Sequence, residues 1–161
     1  MAYGGNNLET AGCQIERAQA ADTDAMLNLW RYIPGIGVRP SDTDQSLRAF
    51  MNRNPSTCLV LRIDGRLMGT VLGGFDGHRG YIYHLAVHPD YQGRGYGKAL
   101  LDRVCRELNA LGAPKIHLFA FNDNQTAANF YLSQGWKERR DIRVFSWDAG
   151  KSVTEEGQWV Y

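Results

Sequence analysis

The sequence predicts a mixed α/β (α+β) fold, with a central, mostly antiparallel sheet of six to seven strands flanked by about four helices. Three observations carry this expectation. The chain has 161 residues, which at about 150 residues per domain makes one unit with enough chain for a core of its own. Segments with the i, i+3, i+4, i+7 spacing of a one-sided helix interrupt short runs of β-branched and aromatic residues. Asp64-Gly65 and Asp76-Gly77 stand between three of those runs, and Asp-Gly is the dipeptide of tight antiparallel connections.

Taken in order, residues 1–13 are polar and rich in Gly and Asn, and 149–161 are similar apart from Trp159 and Tyr161. Both are expected to be flexible tails around a single domain at 14–148. A first strand is expected at 14–18. Asp22 then caps a helix that buries Met26, Leu29, Trp30 and Ile33 and stops at Pro34. The loop 34–40 leads to a second helix, capped by Ser41 or Asp42, with Leu47, Phe50 and Met51 inward and Asn54-Pro55 closing it. Strands follow at 57–63, 67–75 and 81–87. From 95 to 111 the period is helical again, with Leu100, Leu101, Val104, Cys105, Leu108 and Leu111 on one face and Gly112-Ala113-Pro114 ending it. A strand at 115–121, a helix from an Asn124 cap through Ser133, and strands at 136–138 and 142–147 complete the expectation.

Hydrophobic residues at 43% and charged residues at 22% set aside disordered, collagenous and coiled-coil classes. The net charge is +1, and the basic residues cluster only at Glu138-Arg139-Arg140. A nucleic-acid or anionic-membrane surface therefore has little electrostatic support, and a small-molecule partner is expected. Cys13, Cys58 and Cys105 are an odd number without ligand or disulfide spacing, which points to a reducing cytoplasm. The histidines are equally scattered, so no metal is expected. No apolar run approaches the roughly 20 residues of a membrane span. A homodimer is compatible with an exposed strand edge or with the tail that carries Trp159.

Glycine is the anomaly. It makes up 18 of 161 residues, and nine of the 18 fall between Gly65 and Gly97; this is about 11% against a usual share of about 7%. Gly65 and Gly77 suit the positive φ of turns. Gly93, Gly95 and Gly97 alternate in the connection from a strand to an amphipathic helix. Such a turn aims backbone N–H groups at one point beside the positive end of the helix, an arrangement that holds phosphate oxygens, or it is simply a tight strand-to-helix turn. A dinucleotide GxGxxG begun at Gly93 would need glycine at Lys98, and Gly97-Lys98-Ala99 lacks the Ser/Thr of a P-loop.

Gln92-x-x-Gly95-x-Gly97, preceded by Leu85-Ala86-Val87-His88-Pro89 and followed by Ala99-Leu100-Leu101, resembles motif A of the GNAT (Gcn5-related N-acetyltransferase) superfamily. Asn124-x-x-Ala127-x-x-Phe130-Tyr131-x-x-x-Gly135-Trp136 resembles its motif B. The expected element order is also that of the superfamily, so the resemblance spans about residues 14–147. Residues 69–89 are similar to a branch of small bacterial single-domain acetyltransferases, and there is fainter similarity to ribosomal-protein N-terminal acetyltransferases.

The resemblance implies acetyl-CoA as co-substrate. Its pantetheine would lie along Leu85, Ala86 and Val87, and its pyrophosphate on Gln92, Gly93, Arg94, Gly95, Tyr96, Gly97 and Lys98. A backbone N–H in 85–87 is the implied oxyanion donor. Tyr131 matches the tyrosine that protonates the leaving thiolate, or is a helix tyrosine packed beside Phe130. Asn124 bonds the pantetheine amide, caps its helix, or does both. The acceptor would enter between loop 34–40 and the last strands, near Tyr32, Arg39 and Arg143.

The general base is the open position. Plain strand alternation places Tyr81 and Tyr83 on one face and Ile82 and His84 on the other, unless a bulge near Leu85 re-aims His84. Five places before Asn124, where the ribosomal-type relatives carry glutamate, this chain has Phe119, which favours a base working through water. His84 is the best titratable candidate, because histidine is largely neutral at pH 7 and accepts a proton. His88, before a proline, and His117, on a later strand, read as structural. Asp76 and His78 read first as turn formers and second as acceptor contacts. The expected function is acetyl transfer from acetyl-CoA to a primary amine of a small molecule or peptide in a ternary complex. The alternatives are a non-catalytic acyl-CoA-binding module and a protein N-terminal or lysine acetyltransferase.

Overall fold

In a computed structural model of the chain, residues 12–36 and 38–149 are described; they fall into two units, one ending at Phe119 and the other beginning at Ala120. Most of both tails, with Trp159, lies outside the described residues. In the first unit, five strands pair in chain order: β1 (Cys13–Arg17), β2 (Cys58–Ile63), β3 (Arg66–Phe75), β4 (Gly80–Val87) and β5 (Ile116–Leu118). The first four are antiparallel neighbours, and β5 runs parallel to β4. A parallel neighbour requires a crossover, which α3 (Tyr96–Ala110) provides. Helices α1 (Thr23–Tyr32) and α2 (Asp44–Arg53) occupy the connection between β1 and β2. Cys13, which composition assigns to a tail, opens β1, and β5 is shorter than the expected 115–121.

The helix caps differ from expectation. The carboxylate of Asp22 does not cap α1; it accepts from the Gln19 N–H at 2.8 Å and from Arg62 Nη2 at 2.6 Å. A carboxylate–guanidinium bond, charged on both sides, outweighs a cap charged on one side only. Helix α2 is capped by Thr43, whose hydroxyl accepts from the Ser46 N–H at 3.1 Å while Ser46 Oγ accepts from the Thr43 N–H at 2.9 Å. Neither Ser41 nor Asp42 has that task. The Asp64-Gly65 turn is as expected, with positive φ at both residues. Asp76-Gly77 belongs instead to a wider connection, closed by Asp76 Oδ1 accepting from the N–H groups of His78 and Arg79 at 2.7 and 2.6 Å.

Neighbouring residues of a strand point to opposite faces, and β3 shows which helix covers each. A Cβ on Gly73 would meet Val104 of α3, and one on Gly74 would meet Phe50 of α2. On the α1/α2 face, Met26, Leu27, Trp30, Leu47 and Met51 pack with Cys58, Val60 and Leu72. On the α3 face, Leu100, Val104 and Leu108, spaced four apart along one stripe, ride over Gly69, Gly73 and Gly80. An added Cβ at Gly73 would lie 2.6 Å from Val104 Cγ2 and 3.1 Å from the Thr57 carbonyl oxygen. Part of the glycine excess therefore lets helix and sheet approach closely.

β4 carries one irregularity. Thr70 pairs with Ala86 and Leu72 with Tyr83, so two steps on β3 face three on β4. The extra residue bulges the strand, and His84 takes a φ of +47° to accommodate it. Thr70 holds this shape: its hydroxyl donates to the His84 carbonyl at 2.8 Å and accepts from the indole N–H of Trp30 at 2.8 Å. Thr70 is fully buried and Trp30 nearly so.

In the second unit, Asn124 caps α4 (Gln125–Ser133), its side chain accepting from the Ala127 N–H at 3.0 Å. Residues 136–138 and 142–147 are not strands, so the described residues hold five strands rather than six to seven. Ion pairs Arg139–Asp141 and Arg140–Glu138 close locally within this stretch, and Phe145 and Trp147 are 86% and 82% exposed. Strand preference reflects fit to a half-buried pleat more than an intrinsic backbone tendency, and the described residues of the second unit contain no strand to provide one.

Two stability measurements test this packing. Gly73→Ala forces a methyl between Val104 and Thr57 and is expected to lower the unfolding free energy by about 1–3 kcal/mol, read by denaturant titration. Thr70→Val strips a hydroxyl from two buried partners and is expected to cost about 2 kcal/mol or more, whereas Thr70→Ser, which keeps the hydroxyl, retains most of the stability.

Candidate active site

The bulge decides which way His84 faces. Tyr83 lies edge-on to Phe50 of α2, with ring centroids 5.8 Å apart, so it is on the α1/α2 face. Regular alternation would send His84 to the other side. The extra residue instead returns it to the same face, where its ring stacks on Trp30 at 4.0 Å and 15°. His84 Nε2 lies 3.2 Å from Asp42 Oδ1, and both side chains are mostly buried. The other Asp42 oxygen accepts from the Arg39 N–H at 2.8 Å, while the Asp42 N–H donates to the Arg39 carbonyl at 2.9 Å. The carboxylate is thus fixed by its own turn.

The second feature is an open strand edge. β4 and β5 pair only from Gly80↔Ile116 to Ile82↔Leu118. Beyond that point Leu85, Ala86 and Val87 have no β5 partner, while on the other side β3 continues to pair with Ala86 and Val87. Ala86 and Val87 are buried and Leu85 is half-buried. Backbone groups on such an edge require partners.

The third is the turn from β4 to α3. Gln92 Nε2 donates to the Val87 carbonyl at 2.9 Å, so this side chain ties the turn to the end of β4. Gly95 is the N-cap of α3 with φ +87°, no side chain caps the helix, and no acidic residue lies in its first turn. The N–H groups of Tyr96, Gly97 and Lys98 precede the first intrahelical bond, Ala99 N–H to the Gly95 carbonyl. They present the positive end of the helix dipole. Gly93 also has positive φ, and Arg94 lies over the Tyr91 ring at 5.3 Å. Lys98 pairs with Asp102 one turn along the helix, so its charge is directed away from the turn.

Motif B lies in the second unit, where its aromatic residues close on one another. Tyr131 is flanked by Phe130 at 5.2 Å and Trp136 at 5.8 Å, and its carbonyl accepts from the Trp136 N–H at 3.1 Å. Burial pushes its phenol up to about 12. Asn124 uses its side-chain oxygen as the α4 cap. Arg143 is also in this unit.

Other candidates take structural roles. His88 Nδ1 accepts from the Asp90 N–H at 3.2 Å, and Tyr32 stacks on the His88 ring at 5.0 Å. His117 lies beside Tyr81, with ring centroids 5.8 Å apart. The N–H groups of Arg79 and His78 hold the Asp76 carboxyl below its usual range, which suits a turn former. Phe119 stacks on Tyr81 at 6.3 Å, so this position supplies an aromatic wall rather than a base. Burial raises the Tyr83 phenol, with the Tyr81 and Asp76 charges adding to it. A concavity of about 480 Å³ lined by Arg17, Gln19, Arg48, Met51, Asn52 and Pro55 shares no residue with the bulge or the turn, and Arg48 is already paired with Asp44.

Sequence reasoning did not single out Thr70, Trp30 or Asp42 for this site. Trp30 read as core and Asp42 as a cap. The available signal was Thr70, one hydroxyl within the long apolar strand 67–75.

The same segments match known proteins. Residues 23–136 match the model of the Acetyltransferase (GNAT) family. An acetyltransferase of Pectobacterium atrosepticum is 40% identical over 111 residues, which is 68% of this chain and 77% of that protein. Ard1 from Thermoplasma volcanium shares the fold with a TM-score of 0.69 at 18% identity, over 77% of this chain and 82% of that one. N-acetylglutamate synthase from Neisseria gonorrhoeae, solved with coenzyme A and N-acetyl-glutamate, gives 0.62 at 23% identity over 76% of this chain and 28% of that one. With a family model spanning both motifs and a bacterial relative above 30% identity, the chain belongs to the GNAT acetyltransferase family and is an acetyltransferase.

Proposed function

We propose that the protein transfers the acetyl group of acetyl-CoA to a primary amine of a small molecule or peptide by direct attack in a ternary complex, in a reducing cytoplasm. The observation that carries this reading is the bulge at His84, because it brings the His84 ring to the α1/α2 face directly before the open strand edge at 85–87. The coenzyme A of the N-acetylglutamate synthase neighbour supports the choice of donor. The residues present fit such a donor: Leu85, Ala86 and Val87 offer edge backbone groups to a pantetheine, and the uncapped N–H groups from Gly95 to Lys98 offer donors to a pyrophosphate. Gln92 and Gly93 shape that turn, and Arg94 adds a cation beside it. Each favourable charge at a helix N-terminus contributes about 0.3–1 kcal/mol when exposed and up to about 2 when partly buried.

In the proposed step the amine nitrogen forms a bond to the thioester carbonyl carbon, and the C–S bond breaks. His84 removes the proton that the amine must lose. A backbone N–H of 85–87 bonds the oxyanion. Tyr131 returns a proton to the departing sulfur. A phenol near 12 opposite a thiol near 8.5 makes full transfer uphill by about 5 kcal/mol. The Tyr131 O–H therefore acts chiefly by bonding the sulfur as charge develops there, and the proton it gives up is replaced from solvent.

Two measurements test the reading. Acetyl-CoA at one hundred times its dissociation constant is expected to raise the unfolding free energy by about 2.7 kcal/mol; an unmoved thermal midpoint would remove tight donor binding. Tyr131→Phe is expected to lower kcat about a hundredfold with little change in the KM for acetyl-CoA. Because the phenol keeps its proton up to about pH 12, the wild-type pH profile is expected to show no falling limb from Tyr131 below about pH 11; thiol release followed from pH 6 to 11 reads both.

A further inference from the structure

We infer that Asp42, on the turn before α2, is the positioning residue that holds His84 in the orientation and tautomer needed to accept a proton from the amine. This rests on the reading of His84 as the base. Four constraints act on the ring. The bulge fixes its backbone through the bond from Thr70 to the His84 carbonyl. The Trp30 indole covers one ring face at 4.0 Å and 15°, which sets the ring plane. Asp42 Oδ1 faces Nε2 at 3.2 Å, which sets the remaining rotation. The carboxylate is itself immobilised by the Arg39 N–H at 2.8 Å on its other oxygen.

An acceptor-only carboxylate oxygen facing Nε2 demands the proton there. Nδ1 is then the ring nitrogen with a lone pair, and it accepts the proton from the amine. When it does, the ring becomes a cation whose other N–H already points at a carboxylate, the arrangement by which an acidic partner stabilises a histidine base. Trp30 and Thr70, the partners from α1 and β3, are uncharged, so the only charged group within bonding distance of the ring among the described residues is Asp42. Asp42 lies on the α1–α2 connection and His84 on β4, so the contact ties a loop to the reacting strand.

The test is a double-mutant cycle on the full chain with Asp42→Asn, His84→Gln and both together, following thiol release with a good amine acceptor. Asp42→Asn keeps an oxygen that can accept a hydrogen bond but loses the charge and the unambiguous choice of tautomer. It is expected to lower kcat by about tenfold or more, with the KM for acetyl-CoA unchanged. In the His84→Gln background the same substitution is expected to have no further effect, and Asp42→Glu is expected to recover part of the rate. Donor-induced thermal stabilisation is measured on each variant, so loss of folding reads differently from loss of chemistry. Full kcat in Asp42→Asn with a slow His84→Gln overturns the inference and leaves His84 as the base. A tenfold loss that persists in the His84→Gln background also overturns it, because Asp42 then acts without the ring. Full kcat in His84→Gln overturns the base assignment and the inference together.

Discussion

The hydroxyl of Thr70 is the constraint on which the site depends. A residue with φ near +47° and a Cβ is strained by about 1–2 kcal/mol, and it persists only where its surroundings over-determine it. Thr70 supplies that by donating to the His84 carbonyl and accepting from Trp30, both at 2.8 Å and in a buried setting. A buried hydrogen bond contributes about 0.5–1.5 kcal/mol net, whereas leaving either partner unpaired costs about 1–3. The two bonds together offset the strain. Helix α1 therefore does more than cover the sheet. It delivers the indole that both anchors the bulge and stacks on the histidine.

The glycine distribution has two separate physical causes. Positive φ accounts for the β2–β3 turn and for the N-terminus of α3. Close approach accounts for Gly69, Gly73 and Gly80 beneath the Leu100–Val104–Leu108 stripe, and for Gly74 beneath Phe50. The close-approach group positions the other. The stripe on β3 and β4 sets the seat of α3, and the seat of α3 determines where its uncapped first turn lies relative to the end of β4. Helix–sheet packing and the placement of the uncapped N-terminus of α3 are therefore consequences of one short-range steric match.

Much of the first unit was legible in the sequence because its signals are local. Periodicity located α1, α2 and α3, and Asp64-Gly65 located the β2–β3 hairpin, since these depend on residues a few places apart. Motif spelling carried the strand-to-helix turn for the same reason. What was not legible depended on partners distant in the chain. Asp22 left its cap for Arg62, 40 residues away. His84 faces the α1/α2 side because of Thr70 and Trp30, and its Asp42 partner is 42 positions earlier. Residues 142–147 have strand-like composition, but composition cannot supply the neighbouring strand that a ladder needs.

Under the proposed reading, with the acceptor entering beside loop 34–40, the placement of Asp42 links acceptor choice to catalysis. Arg39 and Asp42 close one turn in two ways, backbone to backbone and backbone to carboxylate. Any change in that turn moves the carboxylate facing His84 as well as the loop surface around it. A carboxylate held by a rigid strand would let the loop vary freely; here it cannot. Loop substitutions that alter the acceptor's surroundings while disturbing the Arg39–Asp42 closure should change turnover together with affinity, whereas those that preserve the closure should change affinity alone. The coupling follows from a single carboxylate bonded through one oxygen to its own turn and through the other to the ring.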